Sequence, residues 1–490
     1  MTSFVEAARR EKLAELVKRG VVPFAYRFDR TGSIQAALER YRDADPTVHR
    51  FAGRLILLRS MGKTTFGHLE DRSGKIQVYF KIDAVGAEPY ELVKLLDLGD
   101  VIGVEGPLFR TKTGEVTVRV ERFTLLTKSL RPLPLGKEDA EGKRHGELSD
   151  PELRARQRYA DLAVHPEVRD VFQLRARAIA YLRKFLDARG YLEVETPVLQ
   201  PVYGGASARP FITHYEALDT NVYLRIADEL YLKRCIVGGL EKVYEIGHDF
   251  RNEGLSRFHN PEFTMAEWYE AYADYEVMLQ LTEEMLSGMV QELFGTTTLE
   301  RHGATLDFKR PFARKDYYAL VREAAGIDLA SAGEGELRAA LKRKDVADAD
   351  QLSGAKLVDE VFKSYVEPTL VQPTFVLDYP VALSPLAKLK RGDPTRVERW
   401  ELFIQKREIA NAFSELNDPE EQRRRFEQQA RLRAAGDADA QQLDEDFIRA
   451  LEYGMPPTGG VGLGLDRLQM ILADQSHIRD VILFPMLRPE

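Results

Sequence analysis

Cysteine is almost absent from this chain of 490 residues, with Cys235 as the single example. A lone cysteine excludes an internal disulfide bond and a zinc site built from several thiolates. No run of about 18 apolar residues occurs, which excludes a membrane-spanning helix. The first residues lack the basic-then-apolar order of a signal peptide. Together these absences predict a cytoplasmic protein that makes no contact with a membrane.

Two common nucleotide-binding loops are also missing. The sequence contains no GxxxxGK[ST] segment and no credible GxGxxG fingerprint between a strand and a helix. If the protein uses ATP, it must therefore bind the nucleotide through residues other than those of these two loops.

The composition is that of a folded protein, with 44% hydrophobic and 30% charged residues, and the length predicts two or three domains. The net charge is -8, but it is unevenly distributed. Residues 1–150 carry 26 Lys and Arg against 22 Asp and Glu, while the remainder carries 44 against 56. A mildly basic first third permits contact with phosphates at that end of the chain.

Short strands dominate the sequence between residues 49 and 120, around one helix at 90–96. Five short strands around one helix favour an OB-type barrel, a fold that often binds single-stranded nucleic acid. We expect the strands at 49–59, 65–69, 75–80, 100–105 and 115–120.

Helices and strands mix after residue 151. Apolar residues at helical spacing predict a helix over 168–189, followed by a strand at 191–194. Residues 328–355 have the composition of an exposed insertion, and residues 418–446 that of a charged, solvated helix.

Arg251 lies in Phe-Arg-Asn-Glu, just after an apolar strand and two residues before Glu253. A guanidinium stays charged and can bind two oxygens at once, which suits a carboxylate or a phosphate. Downstream, His259 offers a donor and Phe263 a flat face for stacking on a purine. The alternative is an ordinary Arg–Glu pair at the surface.

A second arginine, Arg467, follows Asp466 at the end of a glycine-rich, strand-like segment. Gly460, Gly462 and Gly464 in this segment allow a ligand to approach the backbone closely. Arg467 could stack on the second face of a purine by a cation–π contact. Ordinary packing of a glycine-rich strand is the alternative.

Five residues between 401 and 415 form a third candidate group. Glu401 and Glu408, seven residues apart on a strand or bent strand, could bind one magnesium ion together with ATP phosphates. Two solvent-exposed glutamates are the alternative. Asn411, Phe413 and Glu415 alternate, so their side chains would share one face of a strand. An acidic group in a largely apolar pocket suits a cationic substrate.

These segments resemble motifs 2 and 3 of the class II aminoacyl-tRNA synthetases. Signatures of the HIGH and KMSKS kind, which mark class I, are absent. The chain is similar to bacterial class II lysyl-tRNA synthetases along nearly its whole length. The matching segments are 61–63, 128–134, 156–162, 195–197, 204–211, 223–230, 407–416 and 478–485.

The resemblance implies an α+β protein. An N-terminal OB-fold β-barrel would precede a class II catalytic domain built on an antiparallel sheet flanked by helices. We expect a helix plus the anticodon-binding barrel in residues 1–143, a linker in 144–165 and the catalytic domain in 166–490. A helical insertion is expected around 310–370. The helix at 168–189 matches motif 1, which forms the homodimer interface in the family.

The resemblance also implies an ATP-dependent, AMP-forming lysine–tRNA ligase that requires Mg²⁺ and acts on tRNA(Lys). Arg251 and Arg467 would be catalytic, and Glu401 and Glu408 would bind the metal. The expected ATP-binding residues are Arg251, Glu253, His259, Phe263, Glu401 and Arg467. The expected lysine-binding residues are Gly205, Glu229, Arg251, Glu267, Tyr269, Asn411, Phe413 and Glu415.

Within the lysine site, the resemblance assigns Glu415 and Tyr269 to the ε-ammonium group and Gly205 and Glu229 to the α-amino group. In the barrel, it assigns anticodon contacts to a group of four residues, although Phe66 could instead belong to the barrel core. The four are Arg54, Phe66, Gln77 and Glu115.

The sequence departs from the family pattern at two places. Gly-His-Asp at 247–249 stands where relatives often carry a basic residue, and bulky Trp268 adjoins Glu267. Two other functions remain open: a class II ligase for another amino acid, or a catalytically silent tRNA-binding paralogue.

Overall fold

The computed structural model describes residues 4–138, 144–434 and 441–489. The chain divides into two compact units, Met1–Pro166 and Glu167–Glu490. The first contains a β-barrel and the second a large, mostly antiparallel sheet with helices, which confirms the predicted α+β class. The predicted boundary at residue 143 lies outside the described residues, and the three predicted domain ranges remain predictions.

The first unit begins with a helix, continues into a strand-rich region and ends with two short helices. Its helices are α1 Phe4–Lys18, α2 Ile34–Arg40, α3 Ile82–Val85, α4 Ala87–Val93, α5 Pro151–Arg156 and α6 Arg158–Val164. Its strands are β1 Val48–Met61, β2 Thr64–Glu70, β3 Lys75–Lys81, β4 Val101–Arg110, β5 Val116–Val120, β6 Arg122–Thr127, β7 Leu135–Glu138 and β8 Arg144–Glu147. The predicted linker at 144–165 therefore contains β8 and both short helices.

Strands β1 to β6 form one sheet in the order β1-β2-β3-β5-β4-β6, and a further pairing of β1 with β4 closes the barrel. The five predicted strands are all present. Strand β6 was not expected, because it follows β5 after a single residue and has no turn signal of its own. Its partner is β4.

Buried and partly exposed side chains alternate along β2 and β3, which gives the barrel an inner and an outer face. Leu69 and Val78 point inward and are fully buried. Phe66, Gln77 and Tyr79 occupy the alternate positions and are only half-buried. The outer face of β2 and β3 therefore carries polar and aromatic side chains suited to stacking and hydrogen bonding.

The second unit contains longer helices, a large sheet and several small ribbons. Its α-helices are α7 Pro166–Asp187, α8 Glu229–Val237, α9 Tyr275–Phe294, α10 Tyr317–Ala325, α11 Glu334–Arg343, α12 Ala355–Tyr365, α13 Pro419–Ala434, α14 Glu445–Glu452 and α15 Leu465–Leu472. Short 3₁₀ turns lie at Glu216–Leu218, Glu367–Thr369, Val381–Leu383 and Ile478–Asp480. Residues 435–440 of the predicted charged helix lie outside the described residues.

The strands of this unit fall into one sheet of eight and three smaller groups. They are β9 Leu192–Glu193, β10 Leu199–Gln200, β11 Ile212–Tyr215, β12 Thr220–Leu224, β13 Lys242–Phe250, β14 Glu262–Ala271, β15 Thr298–Arg301, β16 Ala304–Asp307, β17 Ala313–Asp316, β18 Thr374–Leu377, β19 Leu389–Lys390, β20 Asp393–Val397, β21 Arg399–Ile404, β22 Arg407–Ser414 and β23 Thr458–Gly464. The large sheet has the order β17-β18-β21-β22-β23-β14-β13-β9 and is antiparallel except at its two edge pairs.

Helix α9 packs against β21, β22 and β23 and fills the core of the second unit. Asp274 caps its first turn by accepting from the amides of Glu276 and Val277, and Gly295 ends it in the left-handed conformation. Helices α10, α11 and α12 share a separate apolar cluster. Among the described residues, no helix has the length and apolar character needed to cross a membrane.

Candidate active site

A cavity of about 830 Å³ opens in the second unit. Every site residue predicted in that half of the chain lines it, including both arginines. They are Gly205, Glu229, Arg251, Glu253, His259, Phe263, Glu267, Tyr269, Glu401, Glu408, Asn411, Phe413, Glu415 and Arg467. Segments more than 250 residues apart in sequence therefore meet in one place.

The sheet order explains this convergence. Strands β14, β23, β22 and β21 are neighbours, so residues at one face of the four strands line a common wall. Glu267 lies directly opposite Gly462, which in turn lies opposite Asn411, and Asn411 lies opposite Glu401. Arg251 enters the cavity from the loop that directly follows β13.

Arg251 is oriented by contacts within the protein. Its Nε donates to the carbonyl oxygen of Ile226 at 3.4 Å, and its guanidinium lies 5.0 Å from the centre of the Phe263 ring. The remaining guanidinium nitrogens can bind an anion in the cavity. Glu253, by contrast, is exposed at the cavity edge, and its amide donates to the carbonyl of Arg251 at 2.8 Å.

Arg467 connects two predicted ATP-site residues. Its Nη2 lies 3.1 Å from His259 Nε2, and its Nη1 lies 3.2 Å from Glu408 Oε2. The His259 ring reaches the cavity surface, but its packing and the charge of Arg467 lower its pKa. A neutral imidazole between cationic groups can donate or accept a hydrogen bond without adding a charge.

Glu401 and Glu408 lie on two paired strands rather than on one bent strand. Glu401 is on β21 and Glu408 is on β22, where it lies opposite Phe403. Burial and the charge of Glu408 raise the pKa of Glu401 to about 7, against the opposing charge of Arg399. The two carboxylates offer an oxygen donor set that fits a magnesium ion shared with phosphates.

Arg399 is a cavity residue that the sequence reasoning missed. Its Nε donates to Asn411 Oδ1 at 3.0 Å, and it also pairs with Glu401. Its guanidinium lies over the rings of Tyr379 and Phe413, at 4.5 and 5.4 Å from their centres. The available signal was its position two residues before Glu401, which places both side chains on one face of β21.

Glu415 lies just after β22 and is fully buried at the cavity wall. Its Oε2 lies 2.5 Å from Lys233 Nζ, and Lys233 Nζ also lies 2.5 Å from Glu229 Oε1. Burial and the charge of Glu229 raise the pKa of Glu415 to about 8, and Lys233 opposes this rise. Lys233 was also missed, although its position four residues after Glu229 puts the pair on one helix face.

Tyr269 and Glu267 form a second pair at this wall. The Tyr269 hydroxyl donates to Glu267 Oε2 at 2.9 Å. Glu267 approaches two more buried carboxylates, Asp228 and Asp249, whose oxygens lie within 4.8 Å of one another and of Glu267. Burial and the charge of Asp228 raise the pKa of Glu267 well above its usual range. Buried carboxyl groups are thus clustered at and behind this wall, and burial makes them bind protons more readily than exposed carboxyl groups do.

Glycine is required at two points of the cavity. Gly460 lies beneath Glu415 and Tyr269, and a Cβ there would overlap Glu415 Oε1 and the tyrosine ring. Gly205 has φ of +89°, a left-handed conformation that side-chain-bearing residues rarely adopt. Its amide faces Gln441, whose Oε1 lies 3.4 Å away.

The residues at the two departures from the family pattern do not line the cavity, although Asp249 lies next to Glu267, which does. Trp268 is fully buried in the core on the opposite face of β14 from Glu267 and Tyr269. Asp249 is buried beside Arg225, with 3.3 Å between Oδ1 and Nε, and His248 pairs with Glu262 at the surface.

In the first unit, three of the four residues predicted to contact the anticodon form one cluster. Gln77 Nε2 donates to Glu115 Oε2 at 2.6 Å, and the Phe66 ring lies 4.6 Å from that of Tyr79 on the same outer face. Arg54 is anchored apart from them, since its Nη1 donates to the carbonyl of Gly99 at 2.9 Å.

Two further residues belong to this outer face. His68 Nε2 lies 2.9 Å from Glu115 Oε1 and lies opposite Gln77 across the β2–β3 pair. Tyr79 follows Gln77 by two residues on β3. Period-2 alternation along the two strands was the signal that could have identified both.

Two protein-family models match the chain. The family model described as tRNA synthetases class II (D, K and N) matches residues 150–488. The model described as an OB-fold nucleic acid binding domain matches residues 47–126.

Curated proteins are similar over nearly the whole length. The chain is 53% identical to the lysine–tRNA ligase of Moorella thermoacetica, covering 99% of this chain and 98% of the relative. It is 52% identical to the lysine–tRNA ligase of Pelotomaculum thermopropionicum, covering 98% and 94%. It is 50% identical to the lysine–tRNA ligase of Carboxydothermus hydrogenoformans, covering 98% and 97%.

Proposed function

The chain belongs to the class II tRNA synthetases of the D, K and N group, and on that premise we propose that it is a lysine–tRNA ligase. It would activate lysine with ATP to give lysyl-adenylate and pyrophosphate, and then transfer lysine to the 3′ end of tRNA(Lys). The names of its full-length relatives support this assignment.

The observation that carries the choice of lysine is the buried Glu415 carboxylate at the cavity wall. An ammonium group can pair with its Oε1, which accepts no hydrogen bond from any described residue, whereas a neutral side chain would leave that buried oxygen without a partner. A substrate aspartate would need a cation, rather than Glu415, to pair with its side-chain carboxylate. Lys233 does not supply one, because it is already paired with two carboxylates.

For the remaining lysine contacts, we assign the α-amino group to Glu229 and Gly205 and the ε-ammonium to Glu415 and Tyr269. Asn411 would hold the carboxylate, and Phe413 would pack against the aliphatic chain. These assignments use groups that already line one cavity. Glu267 would support them through its hydrogen bond with Tyr269.

Activation joins two anions, so its barrier is largely electrostatic. An oxygen of the lysine carboxylate attacks the α-phosphorus of ATP, and the bond to the bridging oxygen of pyrophosphate breaks. Arg251 would bind the carboxylate and the α-phosphate together, which orients attack and offsets the developing charge. No side chain needs to act as a covalent nucleophile.

We assign the nucleotide to the side of the cavity formed by Phe263, His259 and Arg467. Phe263 would stack on the adenine and Arg467 would bind its other face or the outer phosphates. Glu401 and Glu408 would hold Mg²⁺, which when bound neutralises phosphate charge. Glu253 would contact the nucleotide at the cavity edge.

In the second step, a ribose hydroxyl at the 3′ end of the tRNA attacks the carbonyl carbon of lysyl-adenylate. The ester bond forms, and AMP leaves with the electrons of the broken acyl–phosphate bond. We assign anticodon recognition to the outer face of β2 and β3 together with Glu115, which directly precedes β5. Phe66 would stack on a base, and Gln77 and Glu115 would hydrogen-bond to base edges. Arg54, which lies apart from these residues, would contribute a separate phosphate or base contact.

We further propose that the protein is a homodimer formed through α7, the helix that matches motif 1. The substrates ATP and tRNA favour action in the cytoplasm. A molar mass from light scattering near twice that of the 55.7 kDa chain would support the dimer, and one near that of a single chain would contradict it.

The function is tested by amino-acid-dependent exchange of labelled pyrophosphate into ATP, with the standard amino acids supplied singly in the presence of Mg²⁺. Exchange with lysine alone is expected. Exchange with another amino acid would contradict the assignment of Glu415. Absence of exchange in folded protein would favour a catalytically silent tRNA-binding paralogue.

A further inference from the structure

Lys233 links two sides of the cavity from behind its wall. It is fully buried on α8, four residues after Glu229. Its Nζ lies 2.5 Å from Glu229 Oε1 and 2.5 Å from Glu415 Oε2. Glu229 begins α8 and Glu415 follows β22, so one ammonium group joins two separate elements.

Each glutamate uses only one of its two oxygens for this contact. Glu415 Oε1 lies on the Gly460 side of the wall and accepts no hydrogen bond from any residue that the structure describes. Glu229 Oε2 lies on the Gly205 side, 3.9 Å from the position of a Cβ built on that glycine. Glu415 Oε1 is therefore available to a ligand, and Glu229, which also lines the cavity, has its second oxygen on the Gly205 side.

Without a cation between them, two buried carboxylates this close would repel each other, and one would take up a proton. A protonated carboxyl forms no ion pair with an ammonium group. Lys233 opposes this protonation while remaining outside the ligand volume, because it does not line the cavity.

We propose that Lys233 is a specificity-determining positioning residue, a resident ammonium group that fixes Glu229 and Glu415 so that their second oxygens receive the two amino groups of the substrate. This inference rests on the proposed function, since it takes lysine as the substrate. Lys233 sets both the charge and the spacing of the two acceptor oxygens. A ligand with only one amino group, such as norleucine, leaves Glu415 Oε1 unpaired and is rejected.

The test compares Lys233→Met and Lys233→Arg with the full-length wild type in pyrophosphate exchange. Lys342→Met is the control, because Lys342 lies on α11 in an exposed ion pair with Asp350 at 2.7 Å. In the Met variant the KM for lysine should rise about 100-fold, while the KM for ATP changes less than about 3-fold. The preference for lysine over norleucine should fall by a similar factor, because without Lys233 the Glu415 carboxylate binds a proton more readily and is no longer held in place.

The Arg variant keeps the charge and should recover part of the lysine affinity and of the preference over norleucine. Thermal unfolding of each variant separates a positioning role from general destabilisation. Equal losses for lysine and ATP in folded protein would contradict the inference, as would an unchanged lysine KM. If Lys233→Met does not fold, Lys233→Arg is used instead. A larger rise in the KM for lysine than in the KM for ATP would then support the inference, and equal changes in the two KM values would contradict it.

Failure of this inference is distinguishable from failure of the proposed function. If the wild type shows no lysine-dependent exchange, the function itself is wrong, and the inference falls with it. If the wild type exchanges with lysine and the variants keep its selectivity, only the role of Lys233 is wrong.

Discussion

The Arg467 guanidinium lies 3.2 Å from Glu408 Oε2, although 59 residues separate the two in sequence. The same guanidinium lies 3.1 Å from His259 Nε2. A residue proposed to bind the nucleotide and a residue proposed to bind the metal are thus paired with each other. If ATP and Mg²⁺ bind as proposed, Arg467 would contact a phosphate and Glu408 would contact the metal ion, and the pair would separate.

Replacement of Arg467 by alanine should weaken ATP binding selectively. We expect the KM for ATP to rise about 10- to 100-fold, the loss typical of a charged hydrogen bond to a phosphate, with little change in the KM for lysine. Pyrophosphate exchange at varied ATP measures this. Arg449→Ala, which removes an exposed arginine paired with Asp446 on α14, should match the wild type. An equal rise in both KM values for Arg467→Ala would argue against an ATP-site role.

Replacement of Arg251 by alanine should abolish activation without preventing tRNA binding. Loss of a charged group that stabilises the transition state typically lowers the rate by about 100- to 1,000-fold. Exchange activity and tRNA binding by filter retention are measured on the same preparation. Arg251 is only half-buried and packs over Phe263, so the variant should fold. Normal adenylate formation by Arg251→Ala would refute its proposed role.

The local patterns in the sequence predicted most of the elements that build the site. The apolar run before Arg251 became β13, and the alternation of Asn411 with Phe413 became one face of β22. The glycine-rich segment became β23, followed directly by α15. These features are local, and the period of the pattern is sufficient to identify them.

The contacts that were missed join residues far apart in sequence or hidden behind the wall. Lys233 meets Glu415 only because α8 packs behind the sheet, and Arg399 meets Asn411 only across the β21–β22 pair. Period and composition do not specify which strands become neighbours. The same limit led to Glu401 and Glu408 being assigned to one strand when they lie on two.

Replacement of Glu415 by glutamine should raise the KM for lysine about 100-fold or more and change ATP affinity little. The same substitution should also abolish the pH dependence of kcat/KM for lysine. Burial raises the pKa of Glu415 to about 8, so the free carboxyl is largely protonated below that pH and cannot pair with an ammonium group. Wild-type kcat/KM for lysine should therefore increase as the pH rises from about 6.5 to 8.5.

The pH series is measured at saturating ATP for the wild type and Glu415→Gln. A flat profile in the variant and a rising one in the wild type are expected. A profile that rises equally in both would assign the titration to another group.

Replacement of Phe66 by alanine should weaken tRNA recognition and spare activation. Loss of one stacked base costs about 1–3 kcal/mol, which corresponds to roughly 5- to 150-fold in the KM for tRNA. Aminoacylation at varied tRNA measures the change, and pyrophosphate exchange without tRNA should be unaffected. Tyr26→Ala serves as the control, because Tyr26 is a fully exposed aromatic of the same unit outside β2 and β3. Equal effects of the two substitutions would contradict a specific stacking role.

Replacement of Gly460 by alanine should damage the lysine site by steric means alone. The new methyl group would overlap Glu415 Oε1 and the Tyr269 ring, and both side chains would have to move. Since both belong to the proposed ε-ammonium site, we expect the KM for lysine to rise about 10-fold or more, with a smaller effect on ATP. Gly335→Ala is the control, because a Cβ there meets no atom within 4 Å. If Gly460→Ala left lysine affinity intact in folded protein, Glu415 and Tyr269 would not bind the side chain of the substrate.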